Sequence, residues 1–309
     1  MVQEWGQSLV RHIQHVIQGK QEVIELLIYT FLAKGHVLLE DVPGVGKTML
    51  ARAFSQSLSI QFQRIQFTPD LLPSDITGLS IFNRKENDFV FKPGPLFTDV
   101  LLADEINRAT PRTQSALLEA MGEKQVTIDG HTHTLSPFFF VVATQNPIEF
   151  EGTFPLPEAQ MDRFMTRLSL GYPGPDDEVN FLKLSHQIHP IYTLQPVTDK
   201  TAIESALNQV EKVHVSDSNL LYMARIAEAT RHHPSLTLGI SPRGSLATIQ
   251  MSKARSAWEG RDFILPDDIK YLLPYTSEHR MSQTMESRIK KESIHEILQE
   301  ILSSVEVPV

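Results

Sequence analysis

Residues 41–48 combine the glycines and the side chains that a phosphate-binding turn requires. The segment Asp41-Val-Pro-Gly-Val-Gly-Lys-Thr48 lies between a short apolar run and a helical pattern. The glycines let successive backbone N–H groups point inward, and the following helix adds the positive end of its dipole, so the turn is suited to bind an anion. The lysine can contact β- and γ-phosphate oxygens, and the threonine hydroxyl can bind Mg²⁺. The predicted phosphate-binding residues are Asp41, Pro43, Gly44, Val45, Gly46, Lys47, Thr48 and Met49.

Asp41 departs from the usual pattern of such turns, which begins with glycine. The turn must therefore use backbone angles that aspartate tolerates. The alternative interpretation is an ordinary glycine-rich turn that carries a solvated lysine.

A second motif, Val100-Leu-Leu-Ala-Asp-Glu105, ends in two acidic residues and is expected to accompany this turn. Its apolar residues predict a buried strand, and ligands of open α/β sheets bind at the carboxyl ends of the strands. We expect Asp104 to bind Mg²⁺ together with Thr48, and Glu105 to act as the general base that polarises the attacking water. An acidic pair after a strand, taken alone, is usually only the start of a helix.

The elements that position these motifs alternate between strand and helix over residues 1–173. Strands are predicted at residues 37–39, 64–67, 100–103, 138–143 and 167–170, and helices at 21–34, 47–58 and from Pro111 to Gly122. Such alternation predicts a five-stranded parallel sheet covered by helices. Residues 79–91 and 125–136 interrupt this order. We interpret both as inserted β-hairpins, the second around Asp129-Gly130.

The composition changes at Gly171-Tyr-Pro-Gly-Pro175, where prolines and glycines mark a domain boundary. Residues 174–309 are predicted to form an all-α domain. The predicted helices span residues 176–186, 201–210, 217–231, 242–258, 266–272 and 292–302.

Motifs along nearly the whole chain resemble those of the AAA+ ATPases and, within them, the MoxR family, with a more distant likeness to the ATPase subunit of magnesium chelatase. The stretches that carry the resemblance are residues 38–48, Asp104-Glu-Ile-Asn-Arg-Ala109, residues 114–121, Ala143-Thr-Gln-Asn-Pro147, residues 156–164 and Ser241-Pro-Arg-Gly244. The fold that this implies is an AAA+ P-loop NTPase domain followed by a helical lid domain.

The resemblance also implies roles for individual residues. Asn146 corresponds to the sensor 1 residue that helps to place the attacking water, although Asn-Pro is also a common turn. Arg163 corresponds to the arginine finger, with Arg167 as a second candidate, although an arginine–aspartate pair at a helix end is an alternative. Arg243 corresponds to sensor 2, which would report the γ-phosphate to the helical domain, or else is a surface arginine.

Three further residues, Gly19, Gln21 and Val23, lie where relatives contact adenine. In the family the hairpins act on a target or partner, and edge cover for the sheet is the alternative. The function implied is that of an ATP- and Mg²⁺-dependent ATPase that assembles into a ring, a hexamer by family resemblance, and remodels client proteins in a chaperone-like role. A partner with a von Willebrand factor A domain is implied as well. The alternatives are a nucleotide-gated scaffold with little hydrolysis, a nucleic-acid motor and a chelatase-like machine.

Composition and charge exclude several other classes. The 309 residues include no cysteine, so disulfides, thiolate metal sites and thiol nucleophiles are excluded. The net charge is −9, and the parts of the chain before and after Pro175 are both net acidic, so no nucleic-acid partner is expected. His131, His133 and the His232-His233 pair lack a third metal ligand at suitable spacing, and no serine-hydrolase motif is present. The sequence has neither a signal peptide nor a membrane-spanning segment, which predicts a cytoplasmic protein.

Overall fold

The computed structural model describes residues 2–85, 87–147, 152–179 and 190–308. Its central feature is a parallel five-stranded sheet in the order β2-β5-β8-β1-β9. The strands are β1 (Val37–Glu40), β2 (Phe62–Gln66), β5 (Val100–Asp104), β8 (Phe140–Gln145) and β9 (Thr166–Leu168). The predicted strands are therefore confirmed, with bounds that differ by up to two residues.

Alternation of side chains along these strands produces two separate cores. On one face Leu102 and Val142 pack with the helices α1 to α3 and with the C-terminal helices, whereas on the other face Leu101 and Val141 pack with α4 and α5. Both faces are covered, which explains why β5 and β8 are continuous apolar runs rather than alternating ones. The helices that pack around the sheet are α1 (Val2–Gln14), α2 (Gln21–Leu32), α3 (Lys47–Ser57), α4 (Pro73–Thr77), α5 (Pro111–Glu123) and α6 (Glu158–Met161).

Two antiparallel hairpins project from this core, as the sequence predicts. The first pairs β3 (Gly78–Asn83) with β4 (Asp88–Pro93), and the second pairs β6 (Gln125–Ile128) with β7 (His131–Thr134). The Asp129-Gly130 turn has positive φ at both residues, 49° and 79°, as a tight hairpin turn requires. The hairpins meet where the ring of His133 stacks on that of Phe91, with centroids 4.1 Å apart.

The C-terminal region, here called the lid, is mostly helical. Its helices are α7 (Lys200–Glu211), α8 (Asp217–His232), α9 (Pro242–Trp258), α10 (Pro266–Ser277), α11 (Met285–Ile289) and α12 (Ile294–Ser304). A short antiparallel pair that the sequence did not predict joins β10 (Leu236–Leu238) to β11 (Ser282–Gln283). The predicted helix at residues 176–186 is described only as far as residue 179, and the rest of it lies outside the described residues.

Two local expectations need correction. Helix α5 does not end at Gly122: it continues to Glu123, and Lys124 adopts the left-handed conformation, with φ 52°, that ends it. Helix α1 was not predicted, although its apolar residues Leu9, Val10 and Ile13 are buried against the rest of the core. Within the described part of the chain, no helix is both long and apolar enough to cross a bilayer.

Candidate nucleotide-binding site

A cavity of about 310 Å³ lies at the carboxyl end of the sheet. Its size falls in the range of small-molecule sites. The lining residues come from the turn after β1, the start of α3 and the ends of β5 and β8, and they are Pro43, Gly44, Gly46, Lys47, Thr48, Met49, Asp104, Glu105, Thr144 and Asn146. The lining thus includes the predicted metal-binding and water-placing residues and the predicted phosphate-binding residues other than Asp41 and Val45, and it adds Thr144.

The turn before α3 has the backbone that anion binding requires. Gly44 and Gly46 have φ of +87° and +96°, values that side chains rarely adopt. A Cβ atom at Gly44 would meet nothing within 4 Å, so the backbone angle rather than space demands glycine there. The N-cap residue of α3 is Gly46, which has no side chain to cap the helix. Its first N–H groups therefore remain available for the oxygens of a phosphate.

Lys47 is buried at the base of this turn. Its Nζ donates hydrogen bonds to the carbonyl oxygens of Asp41 and Val42, at 2.6 and 3.3 Å. Burial lowers the pKa of Lys47, while the carboxylates of Asp41, Asp104 and Glu105 act in the opposite direction. A buried ammonium whose hydrogen-bond partners among the described residues are carbonyl oxygens is suited to receive a negatively charged ligand.

The departure at Asp41 has a structural explanation. Its φ is not positive, so aspartate imposes no backbone strain on the turn. The carboxylate accepts hydrogen bonds from Ser169 Oγ at 3.0 Å, from the Gly171 amide at 3.1 Å and from the Leu170 amide. The Asp41 side chain therefore fastens the turn to the segment after β9, and only its backbone faces the lysine.

The two acidic residues after β5 are held by different partners. Asp104 accepts hydrogen bonds from Arg64 Nη2 at 2.7 Å and from Thr144 Oγ1 at 2.6 Å. The Thr144 hydroxyl also accepts from the Glu105 amide at 2.8 Å, so one side chain orients both residues. Glu105 has a left-handed backbone, with φ 55°. Its carboxylate accepts hydrogen bonds from Gln66 Nε2 at 2.6 Å and from Arg108 Nη1 at 3.0 Å.

Sequence reasoning missed Arg64, Gln66 and Thr144 as members of this site. Arg64 and Gln66 belong to β2, whose parallel pairing places Gln66 opposite Asp104. The alternating polar residues of β2 were the available signal. That signal does not tell which strand lies beside β2, because the neighbour is defined only by the sheet order.

The donor set fits a magnesium-bound triphosphate. Thr48 and Asp104 line the same cavity and offer hydroxyl and carboxylate oxygens, the hard ligands that Mg²⁺ prefers. The uncapped α3 terminus and Lys47 supply the anion-binding groups. Asn146 is buried just after β8 and lines the same cavity. Its backbone carbonyl oxygen accepts a hydrogen bond from Asn107 Nδ2 at 3.5 Å.

The three predicted arginines lie elsewhere. Arg163 Nη1 donates to the Leu118 carbonyl oxygen at 2.6 Å, on the last turns of α5. Arg243 lies 3.8 Å from Asp162, the residue before Arg163. None of the three is among the described residues that line the cavity. Arg243 pairs with the residue that precedes the candidate finger, and its assignment as sensor 2 stays a prediction.

Arg167, the second finger candidate, is paired within its own chain. It lies 3.1 Å from Glu40 and 3.9 Å from Glu278. It lines a separate cavity of about 530 Å³ between β9 and the lid helix α10, together with Val23. These contacts favour a role in joining the core to the lid.

The residues proposed to lie near adenine are divided between different surroundings. Val23 belongs to the larger cavity, and Gln21 bonds to Glu25 on its own helix. Gly19 has φ +68°, and a Cβ there would lie 1.9 Å from an Asp177 carboxylate oxygen. The described neighbours of the three residues differ, and their contact with adenine stays a prediction.

Comparison with known proteins agrees with this geometry. The model of the ATPase family associated with various cellular activities (AAA) matches residues 36–166, and that of the AAA lid domain matches residues 228–301. Chaperone MoxR1 of Mycobacterium tuberculosis is 36% identical over 96% of this chain and 80% of its own length. The chain belongs to the MoxR family of AAA+ ATPases. The protein is therefore an ATPase that binds a nucleotide.

Two further relatives match nearly the whole chain. YeaC of Bacillus subtilis is 51% identical over 97% of this chain and 94% of its own length. A crystal structure of a Cytophaga hutchinsonii protein, proposed to be an ATPase, is 35% identical with a TM-score of 0.93 and covers 100% of this chain and 96% of that one. The fold predicted for residues 1–309, an α/β core with two hairpins and a helical lid, is thus shared by a solved relative.

Proposed function

We propose that this MoxR-family ATPase works as a ring, most simply a hexamer, in which each ATP site is completed by the neighbouring subunit. The observation that carries the proposal is the separation of two sets of groups. The phosphate-binding and acidic residues line one cavity, whereas Arg163 lies against the Leu118 carbonyl and Arg243 beside Asp162. If Arg163 stabilises charge on a γ-phosphate, it would therefore do so in the site of a second copy.

Within one subunit, Lys47 and the amides at the start of α3 bind the triphosphate, and Thr48 and Asp104 hold Mg²⁺. When bound by Thr48 and Asp104, Mg²⁺ would supply neutralisation of charge on the phosphate oxygens. Glu105 takes the proton of the attacking water, and Asn146 orients that water because its amide can both donate and accept. Glu105 must first leave Gln66 and Arg108, which hold its carboxylate in this structure.

The work done by hydrolysis in this proposal is the remodelling or maturation of other proteins, with a von Willebrand factor A domain protein as partner. The name of the relative Chaperone MoxR1 supports a chaperone role. The first hairpin is suited to contact a protein because its strands expose apolar side chains, namely Leu79, Ile81, Phe82, Phe89 and Val90. The proposed contact surface therefore includes the strands of the first hairpin as well as its tip.

Mixing two inactive variants tests the shared site. Lys47→Ala should lose nucleotide affinity, and Arg163→Ala should bind nucleotide normally but lose turnover in the assembled state. Mixed rings should recover part of the activity, because some interfaces then join an intact phosphate turn to an intact finger. Absence of recovery in rings shown to contain both variants would contradict a finger that acts on the neighbour.

Capture of the client tests the remodelling role. Glu105→Gln should retain bound ATP without hydrolysing it, so the client should stay attached and be identified by mass spectrometry. Lys47→Ala serves as the matched control, because it should not reach the ATP-bound state. A set of captured proteins that is the same for both variants would argue against ATP-dependent remodelling.

A further inference from the structure

The turn that carries Arg163, here called the finger turn (residues 158–164), is bound to the lid through one carboxylate. Asp162 accepts a hydrogen bond from Ser241 Oγ at 2.9 Å. Arg280 Nη1 lies 3.0 Å from the same carboxylate and Arg243 Nη1 lies 3.8 Å from it. All three partners belong to the lid, on the N-terminus of α9 and just before β11. Asp162 therefore joins two parts of the lid to the finger turn.

The lid also holds the backbone on the other side of the finger. Arg280 Nη2 donates to the carbonyl oxygen of Phe164 at 2.5 Å, and His279 Nε2 lies 3.0 Å from the same oxygen. Further back, Ser282 Oγ donates to Glu158 at 3.4 Å. Arg163 is thus flanked on both sides by residues that the lid binds.

The Arg280 contact is more than a surface ion pair. The Arg280 side chain is only 2% exposed, whereas that of Asp162 is 21% exposed. Burial lowers the pKa of Arg280 to about 10, and Asp162 acts in the opposite direction as its counter-ion. A buried guanidinium that loses its carboxylate is strongly unfavourable. Burial of Arg280 in the lid therefore favours the position of the finger turn in which Asp162 contacts it.

The finger itself rests on the core rather than on the lid. Arg163 Nη1 reaches the Leu118 carbonyl oxygen over Gly122, where a Cβ would lie 2.9 Å from that nitrogen. A shift of the lid would consequently move the backbone on either side of Arg163 relative to the helix on which the guanidinium rests.

We infer that Asp162 is a positioning residue for the ATPase reaction: it ties the finger turn to the lid and keeps Arg163 and Arg243 on one surface. The orientation of the lid then sets where the finger stands in the site of the next subunit. The inference rests on the proposed function in one respect, since it takes Arg163 as the group that acts on the neighbouring nucleotide. A carboxylate that merely stabilised the fold would not affect the neighbour's turnover selectively.

A distance measurement tests the connection without reference to catalysis. The chain has no cysteine, so Ala159→Cys and Met285→Cys, two exposed positions on the finger turn and on α11, can be spin-labelled selectively. Labelled chains are diluted with unlabelled ones, so that distances within one chain dominate. We expect a narrow distance distribution in the otherwise native chain and a broad or shifted one with Asp162→Asn. An unchanged distribution in the folded variant overturns the inference.

Turnover tests the positioning role. Asp162→Asn should lower kcat at least tenfold with KM for ATP and nucleotide affinity unchanged, and Asp162→Glu should recover part of the loss. Mixing with Lys47→Ala should restore activity, as expected for a defect that acts on the neighbour. Glu286→Gln, an exposed lid carboxylate paired only locally with Lys290 among the contacts described for it, is the control and should behave as wild type. Normal kcat for Asp162→Asn, or a parallel loss of nucleotide affinity, overturns the positioning role.

Two further results keep the interpretations separate. If Arg163→Ala retains full turnover while Asp162→Asn broadens the distances, the finger assignment fails and the connection to the lid stands. If Asp162→Asn does not fold, Ser241→Ala removes one of the donors together with the side-chain cap of α9. That variant should then broaden the distances and lower kcat by a smaller factor, and native behaviour in both assays would overturn the inference.

Discussion

The side-chain amide of Gln66 donates a hydrogen bond of 2.6 Å to the carboxylate of Glu105. The two residues belong to neighbouring parallel strands, where Gln66 lies opposite Asp104. A carboxylate that accepts this bond, and a second one from Arg108, is less free to orient a water molecule toward a phosphate. The structure therefore places a restraint directly on the proposed general base.

Gln66→Leu should raise basal ATP turnover, because it removes one of these bonds from Glu105. Loss of about 1 kcal/mol of restraint corresponds to a rise on the order of fivefold, measured as steady-state phosphate release. Nucleotide affinity should not change, since the phosphate turn is untouched. Gln63→Leu, at another exposed glutamine of β2, is the control and should have wild-type turnover. A fall in turnover would mean that Gln66 holds Glu105 in its active position instead.

Gly122→Ala should separate activity from stability. The new Cβ would lie 2.9 Å from Arg163 Nη1, the mobile end of a long side chain, so the guanidinium should leave the Leu118 carbonyl. Turnover in the assembled state should fall roughly tenfold, which is less than the roughly 10³–10⁵-fold worth of a whole arginine finger because the guanidinium is displaced and not removed. Alanine inside a helix favours folding by about 0.5–1 kcal/mol relative to glycine, so the melting temperature should be equal or higher.

Ser115→Ala, at an exposed position of the same helix, is the comparison for Gly122→Ala and should leave turnover unchanged. Full activity of Gly122→Ala would show that the observed rest position of Arg163 is not needed. A marked loss of stability would instead indicate that the backbone at Gly122, not the finger, had been disturbed.

Local patterns in the sequence were sufficient to predict the strands, the hairpins and the phosphate turn. The glycines at 44 and 46 and the apolar run before Asp104 act through the backbone and through burial, which depend on nearby residues. Asp41 shows where such reasoning ends. Its carboxylate is bound by Ser169 and by backbone amides that follow it, and this contact depends on β1 and β9 being neighbours in the sheet.

Contacts between domains were equally beyond local patterns. Ser241, Pro242 and Arg243 were read correctly as the start of a helix, with Ser241 accepting from the Gly244 amide at 3.1 Å. The direction in which Arg243 points depends on how the lid packs on the core, and it pairs with Asp162. Helix ends carry the same limitation: Gly122 was the expected terminator, but Arg163 packs over it and Lys124 takes the left-handed position.

Thr144→Val should impair catalysis more than nucleotide binding. The substitution keeps the shape of the side chain but removes the hydroxyl that donates to Asp104 and accepts from the Glu105 amide. We expect kcat to fall about tenfold and half-maximal activity to require more Mg²⁺, while the affinity for ADP changes little. The free energy of unfolding should fall by about 1–3 kcal/mol, because buried partners lose their hydrogen bonds.

Thr166→Val provides the matched control for Thr144→Val. Thr166 is also buried, on strand β9, which β1 separates from β8, and its hydroxyl pairs with that of Thr30 away from the cavity. It should lose stability but keep the Mg²⁺ dependence and kcat of the native protein. Equal Mg²⁺ requirements for both variants would remove Thr144 from the site.

Stability should decrease as the pH falls from about 6.5 toward 4, because His36 and His279 are buried in the neutral form. Burial lowers the pKa of His36 from 6.5 to about 4, and burial together with Arg280 lowers that of His279 to about 3. His36 also accepts a hydrogen bond from the Val141 amide at 3.0 Å, which a protonated ring cannot do. Below pH 6.5 the unfolded chain therefore takes up protons that the folded chain does not.

The expected loss between pH 7.5 and pH 5 is roughly 2 kcal/mol for each of these histidines, measured as the free energy of unfolding in urea. His36→Gln should lower stability at neutral pH but reduce the difference between the two pH values by about that amount. His232→Gln, at an exposed histidine that bonds only to the Glu228 carbonyl among its described contacts, should leave the pH dependence unchanged. If His36→Gln retained the full pH dependence of the native protein, proton uptake at His36 would not be the cause of the acid sensitivity.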